Sequence, residues 1–121
     1  MKKLFIILIL FSCFSFAKMS FNETLKLAEQ GNATAQFLVG GMYYHSEGVK
    51  QDYFKAFYWF KEAATQGNVT SQFNLGVMYL NGEGVRLNKS KSLHYFGLSC
   101  DNKYQKGCEA YAKLKKEGIT E

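Results

Sequence analysis

The chain has no proline among its 121 residues, and it is poor in cysteine, histidine and acidic side chains. With proline missing, its 11 glycines exclude collagen-like repeats and proline-rich linkers. Such a chain is most simply built from helices separated by glycine turns. Only 10 Asp and Glu stand against 15 Lys and Arg, a net charge of +5. That surplus is too diffuse to indicate a nucleic-acid partner. Disorder is excluded by the rest of the composition, which is 47% hydrophobic and 17% aromatic. The length allows one small domain. Three cysteines is an odd number, so one of them needs a separate account.

Long apolar runs are scarce too. Leu4–Phe11 follows Lys2 and Lys3 and precedes Ser15-Phe16-Ala17, which sets small residues before a cleavage point. This is the pattern of a secretory signal peptide over residues 1–17, cut after Ala17. It is shorter than the roughly 20 residues of a membrane span, so no span is expected. Cys13 also stands where a lipoprotein box would place an acylated cysteine, which makes a lipid anchor the alternative. Phe11 is bulky for that box and the residues after Cys13 are apolar, which favours cleavage after Ala17. Either route removes Cys13 and leaves two thiols. The expected mature chain, 18–121, carries a net charge of +3 and resides in the periplasm or outside the cell, where disulfides persist.

What is abundant is repetition. Residues 31–66 align without a gap on residues 67–102, with 13 identities in 36 positions. Gly31, Asn32, Gln36, Phe37, Gly40, Met42, Tyr43 and Lys55 recur as Gly67, Asn68, Gln72, Phe73, Gly76, Met78, Tyr79 and Lys91, among others. A period of this length marks an array of supersecondary units. Each unit reads as two helices, about 33–46 and 53–66 in the first, with Asn32 and Asp52 as N-caps and a turn at Glu47-Gly48-Val49. The second unit repeats this with Asn68, Gly82–Val85 and Asn88. Ser20-x-x-Glu23 has capping-box spacing before an opening helix, and a last helix is expected over about 105–117. The expected domain, 18–121, is a half unit (18–30), two units (31–66 and 67–102) and a half unit (103–121). Ala35, Val39, Met42 and Tyr43 fall on one helical face, as do Ser71, Leu75, Met78 and Tyr79. Gly40 and Gly76 inside these helices predict close approach of a partner helix carrying Ala56, Phe60 and Ala63.

The runs AQFLVGGMYYHSEGV and SQFNLGVMYLNGEGV, with KAFYWFKEAATQGN downstream, resemble the Sel-one-like repeat, a relative of the tetratricopeptide repeat. The resemblance covers nearly all of residues 21–118 and implies an all-α fold, an α/α solenoid of about six antiparallel helices. The first unit departs from the motif at Ser46, the second at Ser92, Gly97 and Ser99, and those last changes are expected to loosen its second helix.

Cys100 and Cys108 lie eight residues apart across a helix–loop–helix turn, where a bridge is geometrically feasible. A metal pair would need two further ligands, and His45 and His94 occupy non-equivalent repeat positions. A redox pair would be C-x-x-C. The spacing resembles the cysteine-rich, secreted, Helicobacter-type branch of the family, in which repeats are stapled this way. That resemblance implies a structural disulfide here. It also implies an alternative activity, because members of that branch are associated with binding and weak hydrolysis of β-lactams.

The residues themselves supply no catalytic constellation. Ser15-Phe16-Ala17-Lys18 has the S-x-x-K form but straddles the cleavage point, and K-T-G, G-x-S-x-G and H-E-x-x-H are missing from the sequence. No cofactor or metal is expected. Four N-x-S/T sequons, at Asn22, Asn32, Asn68 and Asn88, are explained more simply for the last three by helix capping. A second face of the first helices carries Thr34, Phe37, Tyr44 and His45, then Thr70, Phe73, Val77, Leu80 and Asn81, then Lys106, Glu109 and Lys113. By resemblance these line a concave groove that binds a protein or peptide, aromatic in the middle and basic at one end. Phe37 and Phe73 read equally well as core between repeats. The function expected is a non-catalytic scaffold; a β-lactam or cell-wall fragment is the alternative ligand.

Overall fold

The computed structural model describes residues 19–121. The expected leader, its cleavage point after Ala17 and Cys13 lie outside the described residues. Six helices follow one another: α1 (Phe21–Glu29), α2 (Ala33–His45), α3 (Tyr53–Thr65), α4 (Val69–Asn81), α5 (Lys89–Asp101) and α6 (Gln105–Lys116). Each packs mainly on its predecessor and its successor. The described residues form the expected all-α solenoid.

Local chemistry sets where the helices begin. Ser20 Oγ accepts from the Glu23 amide while the Glu23 carboxylate accepts from the Ser20 amide, a complete capping box. Asn32, Asp52, Asn68 and Asn88 each accept the amide three residues on, at 2.9–3.1 Å. Each such cap is worth about 1 kcal/mol against alanine. The caps at Asn32, Asn68 and Asn88 account for three of the four sequons.

Packing follows the predicted faces. Ala35, Val39 and Tyr43 are buried in the first unit, and Ser71, Leu75, Met78 and Tyr79 in the second; Met42 is half-buried. Gly40 and Gly76 allow the helices to close. A Cβ on Gly40 would sit 2.7 Å from the Phe60 ring, and one on Gly76 2.5 Å from the Phe96 ring. Val39, Leu75, Met78, Leu93 and Phe96 are almost fully buried, each contributing about 1.5–3 kcal/mol relative to exposure. The recurring lysines also find a role: Lys55 lies over the Tyr43 ring and Lys91 over the Tyr79 ring, each at 5.5 Å.

The serines that depart from the motif leave α5 unbroken. Ser92 donates its hydroxyl to the Gly76 carbonyl at 2.6 Å and Ser99 to the Phe96 carbonyl at 2.9 Å, both fully buried. The serines are satisfied internally, and α5 spans 13 residues, as α3 does.

A second repeated element is polar. Gln36 and Gln72 are buried, and each donates its side-chain amide to a carbonyl eight residues earlier, Ala28 at 3.2 Å and Ala64 at 3.4 Å. Gln66 in turn donates to the Gln36 side-chain oxygen, and Asn102 to that of Gln72. These amides tie α1 to α2 and α3 to α4 through the core, where an unpaired polar group would cost about 1–3 kcal/mol.

Candidate functional site

Residues of α2 and α4 flank two adjoining depressions above Phe60 of α3. One, about 220 Å³, is lined by Tyr44, His45, Phe60, Phe73, Asn74 and Val77. The other, about 250 Å³, shares His45, Phe60 and Asn74 and adds Phe37, Leu38, Gly41, Met42 and Glu47. Together they form a groove with an aromatic floor and few polar groups. The arrangement suits an apolar segment whose backbone meets Asn74 or His45.

Five of the expected groove residues converge here: Phe37, Tyr44, His45, Phe73 and Val77. Their roles are divided. Phe37 stacks toward Phe60 at 6.2 Å, and Phe73 toward Phe96 and Tyr104 at 5.3 and 5.2 Å. Both phenylalanines are therefore half core and half groove wall. Tyr44 is tied into the fold, its hydroxyl donating to the Glu83 carboxylate at 2.9 Å. Burial, reinforced by that hydrogen bond to an anion, pushes the Tyr44 phenol up to about 12. His45 is exposed at the end of α2, edge-on to the Tyr44 ring at 4.9 Å.

The other expected residues sit elsewhere. Leu80 packs on the hydrophobic cluster of Leu93, Phe96 and Leu114. Asn81 donates to Glu83 at 3.1 Å. Thr34, Lys106, Glu109 and Lys113 are exposed, Thr70 is half-buried, and none of these lines either depression. Lys106, Glu109 and Lys113 belong to α6, which packs on α5 beyond the end of the groove. Leu38 and Asn74 were missed. They are repeat equivalents, and their shared position would have been found by sliding the helical face over by one residue.

Cys100 and Cys108 stand in disulfide geometry, their Cα atoms 4.5 Å apart, and link α5 to α6. In the repeat register Cys108 occupies the position of Gln36 and Gln72, and Cys100 that of Ala28 and Ala64.

The Sel1 repeat family matches this chain at residues 33–68 and 69–104, more than half its length. The chain belongs to the Sel1 repeat family. The matched units keep the period read from the sequence and begin two residues later. Repeats of this family generally mediate protein–protein interaction. A protective antigen of uropathogenic Escherichia coli with this fold is 37% identical, with a TM-score of 0.79 over 82% of this chain and 22% of the antigen. A Sel1 repeat protein from Oxalobacter formigenes is 32% identical, with a TM-score of 0.74 over 76% of this chain and 27% of that protein. The chain thus spans about a quarter of the length of these two relatives. Helicobacter pylori cysteine rich protein B shares the fold at 22% identity, with a TM-score of 0.69 over 74% of this chain and 67% of its own. Among curated proteins none matches.

Proposed function

We propose that this Sel1 repeat chain is a non-catalytic binding module that holds an apolar segment of a partner protein in the groove between α2 and α4. The observation that carries the reading is the pair of adjoining depressions over Phe60, to which successive repeats contribute equivalent positions. Leu38 is 45% exposed there, a large apolar side chain available to a partner. The cysteine pair supports work outside the cytoplasm, where such a bond survives. Among the described residues no helix is long and apolar enough to cross a membrane.

The test is selection of a random peptide library on the immobilised chain. Leu38→Glu with Asn74→Ala should leave the helical content intact and weaken the selected peptides by at least about tenfold, since hot-spot residues carry 2 kcal/mol or more. Tyr44 and Phe73 are poorer probes because both also hold the fold together. Peptides that bind this double variant as well as the parent would remove the groove from the reading. Nitrocefin turnover that co-purifies with the chain through size exclusion would overturn the non-catalytic assignment in favour of the β-lactam alternative.

A further inference from the structure

A different face carries a second surface. The turn after α2 closes through the Asp52 amide on the Tyr43 carbonyl, and the turn after α4 through the Asn88 amide on the Tyr79 carbonyl. The second turn lies against the start of α3, so closely that a Cβ on Gly84 would overlap the Tyr53 carbonyl. Residues 49–55 and 85–91 therefore share one edge of the solenoid.

The chemistry of this edge is one-sided. Its two segments hold five exposed cations and a single carboxylate, Asp52, which is engaged as the cap of α3. Two of the cations, Lys55 and Lys91, cover tyrosine rings, which leaves Lys50, Arg86 and Lys89 for a partner. The nearby Glu83 is taken by Tyr44 and Asn81, and Glu47 lines the groove instead. Among these cations Phe54 is 77% exposed and Leu87 54% exposed, two large apolar side chains open to solvent.

We propose that this edge docks on an anionic lipid bilayer, with Phe54 and Leu87 entering the headgroup boundary and Lys50, Arg86 and Lys89 pairing with lipid phosphates. A protein partner would have to supply pockets shaped for two protruding side chains, whereas a bilayer accepts them without shape matching. The contact is peripheral, and it is independent of the groove.

The test is sedimentation of the full chain with vesicles of phosphatidylcholine containing about one-third phosphatidylglycerol. All variants carry the same N-terminal segment, so differences among them report the edge. Lys50→Glu, Arg86→Glu and Lys89→Glu together should weaken binding by at least about tenfold. Phe54→Ser with Leu87→Ser should weaken it roughly fivefold, given the apolar area withdrawn. These residues are exposed, so thermal unfolding should be unchanged. Variants that sediment like the parent would overturn the proposal. So would parent binding to soluble polyglutamate that Phe54→Ser with Leu87→Ser leaves intact, which would assign the edge to an acidic protein.

Discussion

The α1–α2 and α3–α4 junctions and the C-terminal α5–α6 junction share a register but are held by different chemistry. Where α1 meets α2 and α3 meets α4, the chain turns at Gly31 and Gly67, whose φ values are 94° and 92°, and Asn32 and Asn68 cap the next helix. A buried glutamine then bonds back across the junction. Where α5 meets α6, Lys103 adopts the left-handed conformation at φ 71°, Tyr104 offers no side-chain cap, and Cys108 replaces the glutamine. Three favourable local choices are lost at one junction, and a cysteine pair in disulfide geometry stands in the position of the hydrogen bond. A repeat can thus keep its geometry while exchanging many weak local terms for one strong link.

The largest expected effect comes from removing that link. Cys100→Ala with Cys108→Ala should lower stability by about 2.5 kcal/mol, the loop-closure value for so short a loop. At this domain size that corresponds to a fall in Tm of about 10–20 °C. Hydrogen exchange should show α6 losing protection while α2–α4 keep theirs. Cys100→Ala with Cys108→Gln should recover about 1 kcal/mol, because the amide can again reach the carbonyl at position 100. Two free thiols by mass spectrometry, with a melt indifferent to reductant, would break the comparison. A glutamine variant no better than the alanine variant would limit the equivalence to position alone.

A smaller effect sharpens the same contrast. Lys103→Gly should stabilise the domain by about 1 kcal/mol, since a side chain with positive φ is penalised by about that much. Tyr104→Asn should gain less, although it restores a cap, because the Tyr104 ring packs on Phe73 at 5.2 Å. Thermal melts of the two single variants decide this. Equal gains would mean that the Tyr104–Phe73 contact contributes little.

Much of this architecture was legible in the sequence because it is written in local signals. The period, the Asn and Asp caps, and the interior glycines each act within a few residues or at one fixed spacing. The buried glutamines were harder. Gln36 and Gln72 were seen to recur, but a polar residue on a helix ordinarily faces water, and only the packing of the preceding helix places a carbonyl against each amide. The place of Cys108 in that series appears once the alignment is carried one period past residue 102. The groove was half legible: spacing assembles Phe37, Phe73 and Val77, whereas the packing of Leu80 depends on α5 and α6, which a single-helix face does not represent.

The smallest effect concerns the polar side of the comparison. Tyr44 donates to Glu83 across the repeat boundary, but the residues in register with them, Leu80 and Ile119, both pack on the C-terminal hydrophobic cluster. The interior boundary therefore uses a hydrogen bond where the terminal one uses apolar contact. Tyr44→Phe should reduce stability by about 0.5–1 kcal/mol at neutral pH, as loss of one partly exposed hydrogen bond does. Its pH dependence separates this bond from simple packing. Folding raises the Tyr44 pKa from 10.0 to about 12, so the neutral phenol is the form the fold favours. Its contribution is complete below pH 10 and fades as pH rises through about 12. Chemical denaturation should therefore show the parent and Tyr44→Phe separated at pH 8 and converging between pH 10 and pH 12. No separation at pH 8 or above would mean that Tyr44 acts through its ring alone, and both boundaries would then be apolar in kind.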